Sequence, residues 1–163
     1  MQLSKPKKMR IVFPDEKPPV AVTVDFDWEN APRTCSAICE YLKNMGGSFA
    51  GKALHASFAG RCLSIRDFNV AGGENLVPEN ATLTPAPGEI QYWYLPPHAM
   101  RGDPTGVKEI NIFYGPDSRS FVPLGWVPGN TCAKVTENLE GLAVMGRRVN
   151  REGIKPIRIE LVE

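Results

Sequence analysis

Short runs in which apolar and polar residues alternate dominate this chain, and runs at helical spacing are few. From Arg10 to Phe13 and from Val20 to Phe26 the side chains alternate, with Val20, Val22, Val24 and Phe26 on one face and Ala21, Thr23 and Asp25 on the other. A period of two carried by β-branched residues predicts strands, linked here by Pro14 to Pro19. Further strands are predicted at Glu89 to Leu95, Val107 to Tyr114, near Ser120 to Leu124, at Trp126 to Gly129, Thr131 to Thr136 and Lys155 to Val162. Two segments have helical spacing. Cys35, Ile38, Cys39, Leu42 and Met45 follow Asn30 as an N-cap and Pro32 in the first turn, and Gly46 and Gly47 stop them. Glu137 to Val149 places Leu139, Leu142, Ala143 and Val149 on one side. Fifteen glycines and fifteen prolines punctuate these runs, the turn density of a β-dominated barrel.

One segment reads almost residue by residue. If Ala59 and Gly60 form a two-residue turn, Ser57 faces Cys62, Ala56 faces Leu63, His55 faces Ser64 and Leu54 faces Ile65. Leu54, Ala56, Leu63 and Ile65 then share an apolar face, while His55, Ser57, Cys62, Ser64 and Arg66 share a polar one. From Asn69 to Gly88 no strand or helix pattern appears, and an uninterrupted loop of that length inside a compact domain marks a functional or covering segment.

At 163 residues the chain is expected to form a single domain spanning 1–163. Hydrophobic residues at 42% and charged residues at 23% are globular values. Nineteen basic against eighteen acidic residues leave a formal charge of +1, so nothing draws the chain toward nucleic acid or anionic lipid as partners. The local exception, Lys5, Lys7, Lys8 and Arg10, is read as a flexible, solvated arm over residues 1–8. No signal-peptide core and no run of ~20 apolar residues is present, so no membrane association and a cytoplasmic location are expected. Cys35, Cys39, Cys62 and Cys132 are accordingly expected as reduced thiols, with Cys35 and Cys39 small core residues of the first helix. Only His55 and His98 could complete a zinc set, and they are far apart, so no metal is expected. No P-loop, dinucleotide turn, zinc-protease helix or nucleophile elbow occurs, so no cofactor is expected either. A homo-oligomer is left open.

The C-terminal order, Gly-Asn-Thr-Cys-Ala-Lys-Val from Gly129 followed by a helix, a glycine turn and a last strand, is similar to that of cyclophilins. The chain more closely resembles an uncharacterised bacterial family of cyclophilin-like domains of unknown function. The resemblance is carried by Glu79-Asn80-Ala81-Thr82, Pro87-Gly88-Glu89, Tyr92, Glu109 with Tyr114-Gly115, and Pro128-Gly129-Asn130. It implies a mainly β fold: a closed cyclophilin-like barrel of about eight strands with α-helices at both barrel ends. It implies no activity. The blocks that carry proline isomerisation in cyclophilins, Phe-His-Arg with Phe-x-x-Gln-Gly-Gly and Met-Ala-Asn leading to Gln-Phe-Phe, are absent. Peptidyl-prolyl isomerase activity is therefore not expected.

Two constellations could carry chemistry. On the hairpin, His55 beside Ser64 and Cys62 could activate a hydroxyl or thiol, and Arg66 could hold a carboxylate bidentately, unless this is simply a solvated face. The second set comprises Glu79, Glu109, Tyr92 and Tyr114. Glu109 and Tyr114 fall on opposite faces of their strand unless a bulge intervenes. Glu79 is either a cap for backbone N–H groups or a general base. Trp93, Tyr94 and Trp126 either line a pocket or pack, and the Pro96 to Gly106 loop with His98, Arg101 and Asp103 either covers a ligand or is a solvated connection.

The expectation is a protein that binds a small carboxylate- or amide-bearing molecule, alone or as a hydrolase, lyase or isomerase. His55 and Glu79 would be the catalytic acid/base pair, Arg66 the anion anchor, Tyr92 and Tyr114 the walls, and Cys62, Ser64 and Glu109 further substrate contacts. The alternative is a non-catalytic module that takes an extended peptide or partner protein in an apolar groove near Trp93 and Trp126.

Overall fold

The computed structural model describes residues 5–122 and 125–163. Its strands are β1 (Lys8–Phe13), β2 (Val20–Phe26), β3 (Ser48–His55), β4 (Cys62–Arg66), β5 (Ala81–Thr82), β6 (Glu89–Leu95), β7 (Val107–Phe113), β8 (Phe121–Val122), β9 (Gly125–Trp126), β10 (Gly129–Glu137) and β11 (Lys155–Val162). Its α-helices are α1 (Pro32–Asn44) and α2 (Leu139–Glu152). Among the described residues, strands in the order β2-β1-β11-β3-β4-β7-β6-β10 form a sheet that closes on itself through a β10–β2 pairing, an eight-strand antiparallel barrel, with β5 added beside β10. Closure removes the free edges that an open sheet would present.

Alternation sorts the side chains as a barrel requires. Met9, Ile11 and Phe13 of β1, Val22, Val24 and Phe26 of β2, Leu63 and Ile65 of β4, Ile90 and Tyr92 of β6 and Ile110 and Ile112 of β7 belong to one continuous buried core. Both helices bury their stripes in that core, α1 through Cys35, Ile38, Cys39 and Leu42, and α2 through Leu142, Met145 and Val149. Gly146 lets α2 lie against the Tyr114 ring, because a Cβ there would overlap it. A second buried cluster lies on the opposite face of β4, β7 and β6: Cys62, Phe113 and Trp93, joined by Ala59, Val122 and Val127 from the covering segments.

Several local expectations change. Ala31, not Asn30, precedes α1, because Pro32 occupies the first turn and Asn30 bonds Asp27 instead. Helix α2 runs Leu139–Glu152, capped by Asn138, whose side chain accepts from Gly141 N. Lys8 belongs to β1 and pairs with Asp25 at 2.7 Å, so the basic arm is shorter than expected. The 69–88 segment contains β5 and a 3-10 turn at Gly73–Asn75. The strand expected near Ser120 to Leu124 is observed as β8, and residues 123–124 lie outside those described.

The hairpin register is the consequential correction. Ser57–Ala59 wind into a 3-10 turn, and Gly60 follows with φ 92°, so the connection is longer than two residues. The observed pairs are Ala53 with Ile65, Leu54 with Ser64 and His55 with Leu63. This one-residue shift sends His55 to the face opposite Cys62, Ser64 and Arg66.

Candidate functional site

The outer face of β4, β7 and β6 carries a patch of polar side chains over the barrel wall. Register places Ser64 beside Asn111 and Asn111 beside Gln91, and, one step along, Arg66 beside Glu109 and Glu109 beside Trp93. Asn111 Nδ2 donates to Glu109 Oε1 at 3.3 Å, and Cys62 Sγ donates to Asn111 Oδ1 at 3.6 Å. Trp93 Nε1 donates to Gln91 Oε1 at 2.9 Å, so the indole is held as packing. The Ser64 hydroxyl is buried without a completed hydrogen bond.

Over this patch opens a cleft of about 570 Å³. Arg66 and Glu109 contribute from the sheet, Met100, Asp103 and Thr105 from the loop between β6 and β7, and Val122 from β8. The loop wall holds itself in shape: Asp103 Oδ1 accepts from Thr105 N at 3.0 Å, Thr105 Oγ1 at 2.8 Å and Gly106 N at 3.1 Å. Gly106, at φ 77°, closes it against the Leu95 and Pro96 backbone, where a Cβ would overlap. His98 and Arg101 of the same loop are exposed and do not line the cleft.

Electrostatically the site is an unequal pair. Glu109 is 9% exposed, whereas the Arg66 side chain is 68% exposed, and Arg66 Nε lies 4.0 Å from Glu109 Oε2. Burial pushes the Glu109 pKa up from its ordinary value, and the Asn111 hydrogen bond and the Arg66 charge oppose the shift without cancelling it. Such a carboxyl holds its proton more tightly than a solvated one, while the guanidinium keeps most of its donors for a ligand.

The other expected residues are distributed elsewhere. His55 Nε2 lies 2.7 Å from the Tyr114 hydroxyl and Nδ1 lies 2.8 Å from Ser57 Oγ, and burial lowers the imidazole pKa. Tyr114 itself packs against α2. Glu79 receives Arg33 N at 3.1 Å, Thr34 N at 2.9 Å and Thr34 Oγ1 at 2.8 Å, so its carboxylate caps α1. Asn130 braces this cap: its Oδ1 accepts from Glu79 N and its Nδ2 donates to Thr34 Oγ1. Tyr92 is 3% exposed, faces the barrel interior, and burial pushes its phenol up to about 12. Cys62 is fully buried beneath the patch, with its thiol held well above the ordinary range, the wrong direction for a nucleophile.

The structure thus gathers Arg66, Glu109, Ser64 and Cys62 on one face and places Tyr92, Glu79 and the His55–Tyr114 pair outside the cleft lining. Asn111 and Gln91 were not anticipated, whereas Asp103 lines the cleft from the Pro96 to Gly106 loop already considered as a ligand cover. Period-two reading of β7 would have found Asn111, since Glu109 and Asn111 alternate with Ile110 and Ile112. Among the described residues no group of three or more His, Cys, Asp or Glu could hold a metal ion, and no helix is long and apolar enough to cross a membrane.

A family described as "Protein of unknown function (DUF3830)" matches residues 16–161. Among solved structures the chain is similar to McbB in complex with tryptophan, at a TM-score of 0.65 and 18% identity over 94% of this chain, which spans 44% of that protein. It is also similar to a Cryptosporidium parvum cyclophilin type peptidyl-prolyl cis-trans isomerase solved in the presence of the dipeptide Ala-Pro, at a TM-score of 0.53 and 13% identity over 96% of this chain and 99% of that one. A second crystal structure of that isomerase aligns at 0.52 and 10% identity, over 96% and 98%. These likenesses are likenesses of fold, and they agree with the cyclophilin-like barrel expected from the motif order. No curated protein matches the chain.

Proposed function

The chain belongs to the DUF3830 family, and from that premise we propose that the cleft over β4 and β7 binds a small carboxylate-bearing molecule. Arg66 anchors the anion, and Glu109 supplies a group able to move a proton. The observation that carries this reading is the pairing, in one cleft of about 570 Å³, of an accessible guanidinium with a carboxyl that burial has pushed upward. The volume suits a metabolite-sized ligand. A guanidinium fork matches a carboxylate bidentately, which fixes its orientation as well as its position. McbB, which shares the fold, holds tryptophan, itself a small carboxylate-bearing molecule, and this supports the same class here.

The peptide-groove alternative needs Trp93 and Trp126 to form one apolar surface. Trp126 is 55% exposed, but Trp93 is 2% exposed and bonded to Gln91, which removes half of that surface.

A thermal-shift and calorimetric screen of small mono- and dicarboxylates tests the proposal. At least one compound is expected to stabilise the protein, and R66A should weaken its binding by about 10- to 100-fold, the worth of a charge-assisted hydrogen-bonded pair. Arg66 is largely exposed, so the variant should melt within about 2 °C of the parent. Absence of any binder, or binding unchanged in R66A, rejects the reading.

A further inference from the structure

Resting on that reading, we infer that the ligand carries an ammonium beside its carboxylate: the cleft is built for an amino acid with an apolar side chain.

The cleft lining combines charges of both signs with apolar side chains. Arg66 and Lys108 bring two cations to the cavity, and Glu109, Asp103 and Asp67 bring three carboxyl groups. Met100, Val107 and Val122 supply its apolar lining and continue into the apolar cluster around Trp93 and Phe113.

A ligand with a carboxylate alone would meet the cations of Arg66 and Lys108 but set its negative charge among the three acidic residues Asp67, Asp103 and Glu109, and like charges in a shared cleft oppose binding. An adjacent ammonium reverses that balance, because it offers three donors where the protein offers acceptors. Glu109 and Asp103 each keep an oxygen for it. Glu109 Oε1 accepts from Asn111, whereas the nearest cation to Oε2 is Arg66 at 4.0 Å, beyond hydrogen-bond reach. Asp103 Oδ1 takes all three donors of its own loop and leaves Oδ2 without one among the described residues. Arg66 and Glu109 lie on neighbouring strands at one register position, so an α-carboxylate on the first sets the α-ammonium toward the second. Met100 and Val122 offer the side chain apolar surface in the same cleft.

The test compares matched pairs by isothermal titration at pH 7.5: L-phenylalanine with 3-phenylpropionate, L-leucine with 4-methylpentanoate, and L-tryptophan with indole-3-propionate. At least one amino acid should bind about tenfold or more tightly than its partner lacking the amine. That preference should fall toward unity in E109Q and shrink in D103N, whose side chain keeps the oxygen that closes the loop. Near-UV circular dichroism establishes that both variants are folded, and D103N serves alone if E109Q is not. If the des-amino acids bind the parent as well as the amino acids do, the ammonium is refuted and the carboxylate site stands. Preference unchanged in both folded variants also refutes it. Binding of none of the six compounds rejects the inference together with the carboxylate reading beneath it.

Discussion

Glu79 makes the sharpest separation between a structural and a chemical role. Replacing it with alanine removes acceptors for Arg33 N, Thr34 N and Thr34 Oγ1. Arg33 is exposed and its amide can turn to water, but Thr34 is fully buried and its amide cannot. Counting only the two Thr34 donors at the lower bound for hydrogen bonds to a charged group gives about 3 kcal/mol. For a chain of 163 residues that corresponds to a loss of about 6–12 °C in Tm. E79Q keeps one acceptor and loses the charge, so it should fall by about half as much, ~3–6 °C. The pH dependence follows from the sign of the shift. Burial works to raise the Glu79 pKa, but the Thr34 and Arg33 donors outweigh it and the net direction is down from 4.5. The native state therefore binds this proton less tightly than the unfolded chain, and the cap's stabilisation is present above pH 4.5 and lost as pH falls through the depressed native value. Melting curves of parent and E79Q from pH 3 to pH 8 should show a gap that is full at neutrality and closes toward acid. A Tm within about 2 °C of the parent for E79A at pH 7, or a gap independent of pH, refutes the capping argument.

Two further variants probe the face under the cleft. G129A places a Cβ on Gln91 Oε1 and Trp93 Nε1, side chains already bonded to each other, and should cost about 1–3 kcal/mol by overpacking, read as a lowered Tm. E109Q reports the opposite sign from E79Q: burial first of all raises the Glu109 pKa above 4.5, so the native state holds that proton more tightly and stability falls as pH rises through the raised value. The amide escapes this, and E109Q should match the parent below pH 4.5 and melt no lower than the parent at pH 8. A parent more stable than E109Q at pH 8 by several degrees contradicts it.

The barrel was legible where one face of a strand had to be apolar. In β2, Val20, Val22, Val24 and Phe26 alternate with Ala21, Thr23 and Asp25, and the burial pattern follows them. The start of α1 was legible only to within a residue, because Asn30 is a good local cap yet bonds Asp27, while the carboxylate that serves the helix comes from Glu79, more than forty positions along the chain. A tertiary cap has no local spacing to betray it. Its composition, a glutamate among prolines and small polar residues, is also that of a catalytic loop, so both readings of Glu79 were open until the donors could be identified.

Hairpin register decided the rest. Ala59-Gly60 looks like a two-residue turn, but a 3-10 turn at Ser57–Ala59 lengthens the connection and shifts pairing by one. Because strand side chains alternate, that single step exchanges the partners of the whole polar face. Had His55 lain beside Ser64, the proton-transfer group next to Arg66 would have been an imidazole from β3. With His55 turned to Tyr114 and Ser57, the group beside Arg66 comes from the other neighbour of β4, and it is Glu109 of β7. The two alternatives differ in charge, not only in identity. Burial drives an imidazole toward its neutral form and leaves no charge facing the arginine, whereas a buried carboxyl gains its charge when a cation arrives. In the proposed site the ligand's own ammonium is that cation, so ligand binding and ionisation of Glu109 favour one another, and binding should strengthen with pH through the raised titration of this carboxyl.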